Sequence, residues 1–230
     1  MLCSNNYLGK DYSKEEEELN HKYSEIEMNC GLSDSFRRKS MIKWRNMVFD
    51  LLIKHGLSKK SLNELSHTKQ IHLRHAAAEL FRYLNTKKIP LIIISASGVG
   101  EVIPQFLQNM GLKFPNQIFF TNHFVWDSAG KAVNIKRPII HTMNKNALKI
   151  DLSISEGILN GRKNIVLLGD TIDDLEMAKN FTYNNIHTFC FLNKTTQKHL
   201  DIYKKAYDRV ILDDGGMDDV LELVKKIILD

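Results

Sequence analysis

Beyond residue 85, short unbroken apolar runs alternate with helix-forming stretches, and this alternation restricts the fold more than any other feature of the sequence. Pro90-Leu91-Ile92-Ile93-Ile94 breaks off at Ser95-Ala96-Ser97-Gly98. Gln117–Phe120, Asn164–Leu168, Ile186–Leu192 and Arg209–Leu212 repeat the pattern. Runs that are apolar at every position suit strands buried on both faces of a parallel sheet. Between them, helical spacing covers about Gly100 to Met110, with Gly111 as its stop, and then Asn146 to Asn160. Met217 to Leu229 closes the chain as an amphipathic helix, and Trp126–Gly130 is a turn. Strands alternating with helices predict an α/β fold with a mainly parallel, doubly wound sheet.

The first 80 residues differ in character. Ser13 followed by Glu16 fits a capping box that opens a charged helix running to about Met28. Ser33 or Asp34 caps a second helix, whose Met41, Trp44, Val48, Leu51 and Leu52 recur at helical spacing before Gly56 ends it. Ser58 caps a short third helix, and Ile71, Leu73, Ala77, Leu80, Phe81 and Leu84 indicate a fourth. The expected division is a helical domain over residues 1–80 and an α/β core over 81–230. With 230 residues, 43% of them hydrophobic, the chain can bury one sizeable core and a smaller partner.

Charge and cysteine content narrow the function classes. The formal net charge of +5 suits an anionic substrate, but the basic residues are scattered and form no long arm, which argues against a nucleic-acid polymer as partner. Cys3, Cys30 and Cys190 are odd in number and far apart, so neither a disulfide framework nor a zinc site is expected. No apolar run is long enough to span a membrane or to act as a signal peptide, and the expectation is a cytoplasmic monomer.

In open parallel sheets, ligands bind outside the carboxyl ends of the strands, which directs attention to Ser95, Asn122 and Asp170. The Ser95 hydroxyl and the backbone N–H groups that follow can cradle a phosphate, although Ser-Ala-Ser-Gly also serves as a plain strand-to-helix turn. Gly169-Asp170-Thr171-Ile172-Asp173-Asp174 places carboxylates at a strand tip and four residues on. Hard cations such as Mg²⁺ take oxygen ligands of this kind, and acidic residues capping a helix give the same pattern without a metal. Lys145 precedes a helix between two strands, where it can neutralise phosphate or simply face solvent.

Taken in order, strand-Ser95, Lys145 and strand-Gly169-Asp170 with Asp174 resemble the last three of the four motifs of the haloacid dehalogenase superfamily. Ser95-Ala96 with Gly100-Glu101-Val102, Thr121-Asn122, Trp126-Asp127 to Gly130, Asn144-Lys145, and Leu167 to Asp170 with Leu175 and Met177-Ala178 are similar to the pyrimidine 5'-nucleotidases (cytosolic 5'-nucleotidase III). The similarity runs from about residue 10 to the end, and the Ser95 loop is one residue longer than the family's. The resemblance implies Mg²⁺-dependent hydrolysis of nucleoside 5'-monophosphates. It assigns Ser95, Lys145 and the Ala96 N–H to phosphate, and Asp170 to Mg²⁺ with support from Asp174. It also implies that the N-terminal helices form a cap that selects the base. Lys22-Tyr23, Ile26-Glu27 and Trp44 fall at the cap's spacing, and Glu27 matches the glutamate that reads the base. A carboxylate accepting from an exocyclic amine suits cytosine.

There are departures. The family's substrate-contacting serine four positions beyond the tryptophan is Val48 here, and Arg38 and Ser40 stand where tyrosines are expected. The superfamily's first motif, Asp-x-Asp-x-Thr, supplies the nucleophile that forms an aspartyl-phosphate and a general acid–base. Nothing before residue 13 offers that pattern. The motif's strand lies mid-sheet in the superfamily, and each backbone group left unsatisfied without it would cost about 1–3 kcal/mol. The expectation is therefore a shortened coding sequence, with a naturally inactive nucleotide-binding relative as the alternative. A phosphatase for another small phosphate monoester is the remaining one.

Overall fold

The computed structural model describes residues 7–29, 31–147, 161–193 and 197–229. The expected helix over 146–160 lies almost wholly outside them. The chain forms two compact units, one from residues 1–71, 92–113 and 119–144, the other from 72–91, 114–118 and 145–230.

The first unit is built on two long helices, α1 (Lys10–Met28) and α2 (Asp34–Lys54). α1 starts three residues before the Ser13 capping box. Gly9 takes the N-cap position with a positive φ, and Ser13 Oγ donates back to the Gly9 carbonyl at 3.4 Å instead of capping. The earlier start puts Tyr12, which is fully buried, inside the helix. α2 begins as its sequence dictates, with Ser33 Oγ accepting from the Phe36 N–H, and buries Met41, Trp44, Val48, Phe49, Leu51 and Leu52. Gly56, at positive φ, ends it. α3 (Lys59–Ser66) is capped by Ser58, whose Oγ accepts from the Ser61 N–H at 3.1 Å.

A hairpin of β3 (Phe124–Trp126) and β4 (Ala132–Ile135) packs on this core, with Phe124 edge-on to Phe49 at 5.8 Å. Its turn is the Asp127–Gly130 segment, where Asp127 Oδ1 accepts from the N–H groups of Ala129 and Lys131. The strands themselves carry no clear period-two signal, because β4 is buried at its two ends and exposed between them.

β1 (Leu91–Ile94) pairs with β2 (Gln117–Phe120). Their hydrogen bonds run from Leu91 N–H to Asn116 and from Ser95 N–H to Phe120, advancing together along both strands, so the pair is parallel. The expectation of burial on both faces fails for β1, which is half-buried at all four positions and pairs with β2 alone among the described residues. α5 (Val102–Asn109) follows the Ser95 loop.

The second unit holds a three-stranded parallel sheet in the order β5 (Asn164–Gly169), β6 (Asn185–Leu192), β7 (Arg209–Leu212). Period-two alternation splits its side chains between two cores. Val166, Leu168, Phe189 and Phe191 pack with α4 (Ala77–Thr86) and α7 (Asp218–Leu229). Ile165, Leu167, Cys190 and Leu192 pack with α6 (Gln197–Ala206) and the 3-10 helix Ile172–Asn180. Helices thus cover both faces, which is the doubly wound arrangement.

One polar group of the first unit is buried without a charge partner. His141 is 2% exposed, and its Nδ1 accepts from the Met143 N–H at 3.2 Å. Burial, with Arg38 and Arg45 adding repulsion, pushes it down to about 4. Between pH 6.5 and 4 the unfolded chain holds a proton that the folded chain refuses, so stability is full above 6.5 and falls with pH across that window. Urea denaturation is expected to show about 2 kcal/mol more loss between pH 7 and pH 4.5 in the natural chain than in His141→Gln.

Candidate active site

The tip of β5 gathers three of the residues that the sequence singles out. Gly169 ends the strand, and Asp170 and Thr171 lead into the 3-10 helix that carries Asp174. Asp174 is the centre of the arrangement. Its Oδ2 accepts from the backbone N–H of Asp170 at 2.9 Å and of Thr171 at 3.1 Å, and its Oδ1 receives Lys145 Nζ at 2.5 Å. The side chains of Lys145 and Asp174 are 11% and 2% exposed, so this ion pair is shielded from water and weakly screened. Only glycine fits before it. A Cβ on Gly169 would lie 2.6 Å from Asp174 Cβ and 2.6 Å from the Tyr207 hydroxyl. That hydroxyl donates to the Thr171 carbonyl at 2.6 Å and fixes the turn from the other side.

The two carboxylates sit in opposite electrostatic states. Burial alone would push Asp174 up, but the Lys145 ammonium and its backbone donors outweigh it and hold the carboxyl below its usual range. Asp170 is compensated only in part. Burial, and then the Asp174 charge beside it, pushes it up to about 6 against a smaller pull from Lys145 and a backbone hydrogen bond. Burial and the same carboxylates push the Cys190 thiol up to about 12 and raise Tyr207 as well. Two buried carboxylates thus lie side by side with Lys145 turned to one of them, and a cation at Asp170 would relieve their repulsion. Asp174 has both oxygens engaged, so its fit is as support to a ligand. Among the described residues no group of three or more His, Cys, Asp or Glu is placed to hold a metal.

Ser95 and Ala96 belong to the first unit, in the loop after β1. Ser95 Oγ accepts from the Ser97 N–H at 3.2 Å, and Ser97 Oγ in turn accepts from the Val99 N–H at 3.2 Å. The loop is packed without slack. A Cβ on Gly98 would approach Val48 Cγ1 to 3.2 Å, and one on Gly100 would meet Thr121 Cβ at 2.7 Å. Asn122, two residues past the end of β2, has its side chain taken up by backbone. Its Nδ2 donates to the carbonyls of Ser97 and Ile140, and its Oδ1 accepts from the Ile140 N–H. It is a staple for the loop. Asn144 does the same one residue before Lys145, spending its amide on Ile139 and His141 backbone.

Glu27 lies in the last turn of α1, half-buried, and its carbonyl accepts from Arg37 at 2.7 Å. Tyr23 and Trp44 stand parallel at 5.9 Å, and the Arg45 guanidinium lies over the Trp44 ring at 4.7 Å. Arg45 and His141 gave no signal in the sequence, since a lone arginine on a charged helix and a lone histidine in a loop have no spacing to read.

The described residues contain no helix long and apolar enough to cross a membrane. Among solved structures, the crystal structure of cytosolic 5'-nucleotidase IIIB bound to cytidine shares the fold at a TM-score of 0.76, with 23% identity, 94% of this chain and 74% of that one covered. The 7-methylguanosine phosphate-specific 5'-nucleotidase of Gallus gallus is 29% identical over 231 residues, which is 100% of this chain and 80% of that protein. The putative cytosolic 5'-nucleotidase 3 of Caenorhabditis elegans is 31% identical over 163 residues, 70% of this chain and 43% of its own length. The family model for pyrimidine 5'-nucleotidase (UMPH-1) matches residues 1–228, and the chain therefore belongs to that family of haloacid-dehalogenase-type 5'-nucleotidases, hydrolases of phosphate monoesters.

Proposed function

We propose that the chain serves Mg²⁺-dependent hydrolysis of pyrimidine nucleoside 5'-monophosphates to nucleoside and phosphate. The observation that carries this reading is the buried Lys145–Asp174 pair set beside an only partly compensated Asp170 at the tip of a parallel strand. A phosphate monoester arrives with negative charge and gains more as its P–O bond breaks, so a fixed cation in a water-poor pocket stabilises the transition state more than the ground state. Lys145 supplies that cation, held to one position by Asp174. Asp170 would hold Mg²⁺, with Asp174 orienting the site, and the bound ion would add Lewis-acid stabilisation to the same oxygens. Ser95 and the Ala96 N–H take the role of phosphate donors, and Glu27 that of base reader, with residues 1–80 as the cap that carries it. The aspartyl-phosphate route also needs a nucleophilic carboxylate, and we assign none of the described residues to it.

The Gallus gallus relative named for 7-methylguanosine phosphate supports a second reading, in which the base is a methylated purine. Phosphate release from CMP, UMP, AMP and 7-methyl-GMP with and without Mg²⁺ separates the two. Preference for CMP or UMP supports the first, preference for 7-methyl-GMP the second, and Mg²⁺-independent release sinks the metal assignment.

The two charged groups should respond oppositely to removal. Lys145→Ala leaves a buried carboxylate unpaired, so it is expected to cost about 3 kcal/mol in urea denaturation and to lower kcat/KM at least about 100-fold. Asp170 carries a folded-state pKa above its unfolded one, so its cost to folding grows between pH 3.8 and about 6 and is full above that. Asp170→Asn is accordingly expected to raise stability at neutral pH by about 1–2 kcal/mol while abolishing the Mg²⁺ response. Gly169→Ala should displace Asp174 or Tyr207. A loss of about 1–3 kcal/mol in thermal denaturation, together with reduced activity, is the expected result.

A further inference from the structure

Tyr207 belongs to no motif that the sequence presents, yet with Asp174 it converges on the space that a Gly169 side chain would fill. It is 4% exposed, and 36 residues separate it from the Thr171 carbonyl to which its hydroxyl donates at 2.6 Å. Its own place is fixed from both sides. At the end of α6 the Tyr207 N–H donates to the Tyr203 carbonyl at 2.9 Å, and the two rings stack within 13° of parallel at 6.4 Å. One residue on, Asp208 Oδ2 accepts from the N–H and the hydroxyl of Thr188 on β6, and the Asp208 N–H donates back to Thr188 Oγ1. Burial raises the phenol, which keeps its proton and remains a donor.

The turn after β5 divides its anchors between two partners. Asp174 Oδ2 takes the N–H groups of Asp170 and Thr171, which restrains the two peptide planes that flank Asp170. The next plane carries the Thr171 carbonyl, which accepts from the Asp174 N–H at 3.2 Å and from the Tyr207 hydroxyl at 2.6 Å. The first of these is at the long end of its class and the second at the short end, so the phenol is the tighter restraint on that plane. We infer that Tyr207 is a positioning residue for the cation site: by holding the Thr171 carbonyl, its hydroxyl sets the place of the Asp170 carboxylate and with it the affinity for Mg²⁺. This rests on the reading that Asp170 holds the metal. Mg²⁺ demands near-ideal ligand geometry, so a small rotation of the turn is enough to weaken its binding. Tyr207 acts through the turn, since its hydroxyl proton is already committed to a backbone carbonyl.

Titration of the full chain with Mn²⁺, read from the paramagnetic resonance of the free ion, with Mg²⁺ as competitor, tests this without requiring turnover. Tyr207→Phe removes one oxygen and keeps the ring. It is expected to weaken Mg²⁺ binding about three- to tenfold, the span that one hydrogen bond can supply. Tyr207→p-aminophenylalanine, which restores an N–H donor on the same ring, should recover the affinity. Tyr203→Phe, which alters the stacked ring without touching the turn, should leave it as it is. A residue that only stabilised the fold would shift the urea midpoint and leave the metal affinity in place. Unchanged Mg²⁺ affinity in a folded Tyr207→Phe protein, no recovery in the p-aminophenylalanine variant, or an equal loss in Tyr203→Phe overturns the role of the Tyr207 hydroxyl and leaves the metal site standing. Should Tyr207→Phe fail to fold, 3-fluorotyrosine placed at position 207 carries the test. Its fluorine resonance is expected to move along the Mg²⁺ binding curve, and a resonance that stays fixed while the ion binds overturns the inference. Binding of neither Mn²⁺ nor Mg²⁺ by the natural chain overturns the assignment of Asp170 and the inference together.

Discussion

Asp174 is the point on which the second unit's chemistry turns. A carboxylate that is 2% exposed is costly unless every oxygen is matched, and this one is matched three times, by Lys145 and by two backbone N–H groups of its own turn. Those matches have consequences in both directions along the chain. They fix the path of the backbone as it leaves β5, so Gly169 must be a glycine, and they pin Lys145 across 29 residues of sequence. They also turn the Lys145 ammonium toward Asp174, so that Asp170, less fully offset, is left as a buried carboxylate pushed above its ordinary range. The raised state of Asp170 is thus a by-product of how its turn is held.

The same economy of polar groups governs the first unit. Asn122 lies just past a strand and reads in the sequence as a candidate for chemistry, and Asn144 stands beside Lys145. Both turn out to spend their amides on backbone groups that no strand or helix satisfies. A residue just past a strand is where ligands bind, and it is equally where the chain leaves its ladder and needs new partners. Sequence position cannot distinguish the two cases, whereas hydrogen-bond geometry does.

The regular elements were mostly legible because their causes are local. Ser33, Gly56 and Ser58 mark helix ends through bonds or torsions made within a few residues, and the apolar runs of β2, β5, β6 and β7 announce themselves. The failures have equally specific causes. Ser13-x-x-Glu16 has the form of a capping box, yet burial of Tyr12 favoured an earlier start. β3 and β4 are only three and four residues long and take their stability from Phe49 on α2, a contact with no local signature. In the candidate site, the order of Lys145 and the Asp170–Asp174 pair could be read, while the bond from Lys145 to Asp174 and the raised state of Asp170 could not. Both depend on how the fold buries these charges and sets them against each other.

The loop that follows β1 has one more consequence. Gly98 is pressed against Val48 and Leu52, and Gly100 against Thr121, so neither position can accept even a methyl group without moving its neighbours. Variation by bulk is closed to this loop. Variation by length is not, because an added residue can bow outward while the glycine contacts stay in place. The loop can therefore change by lengthening its span, with its anchors kept as they are.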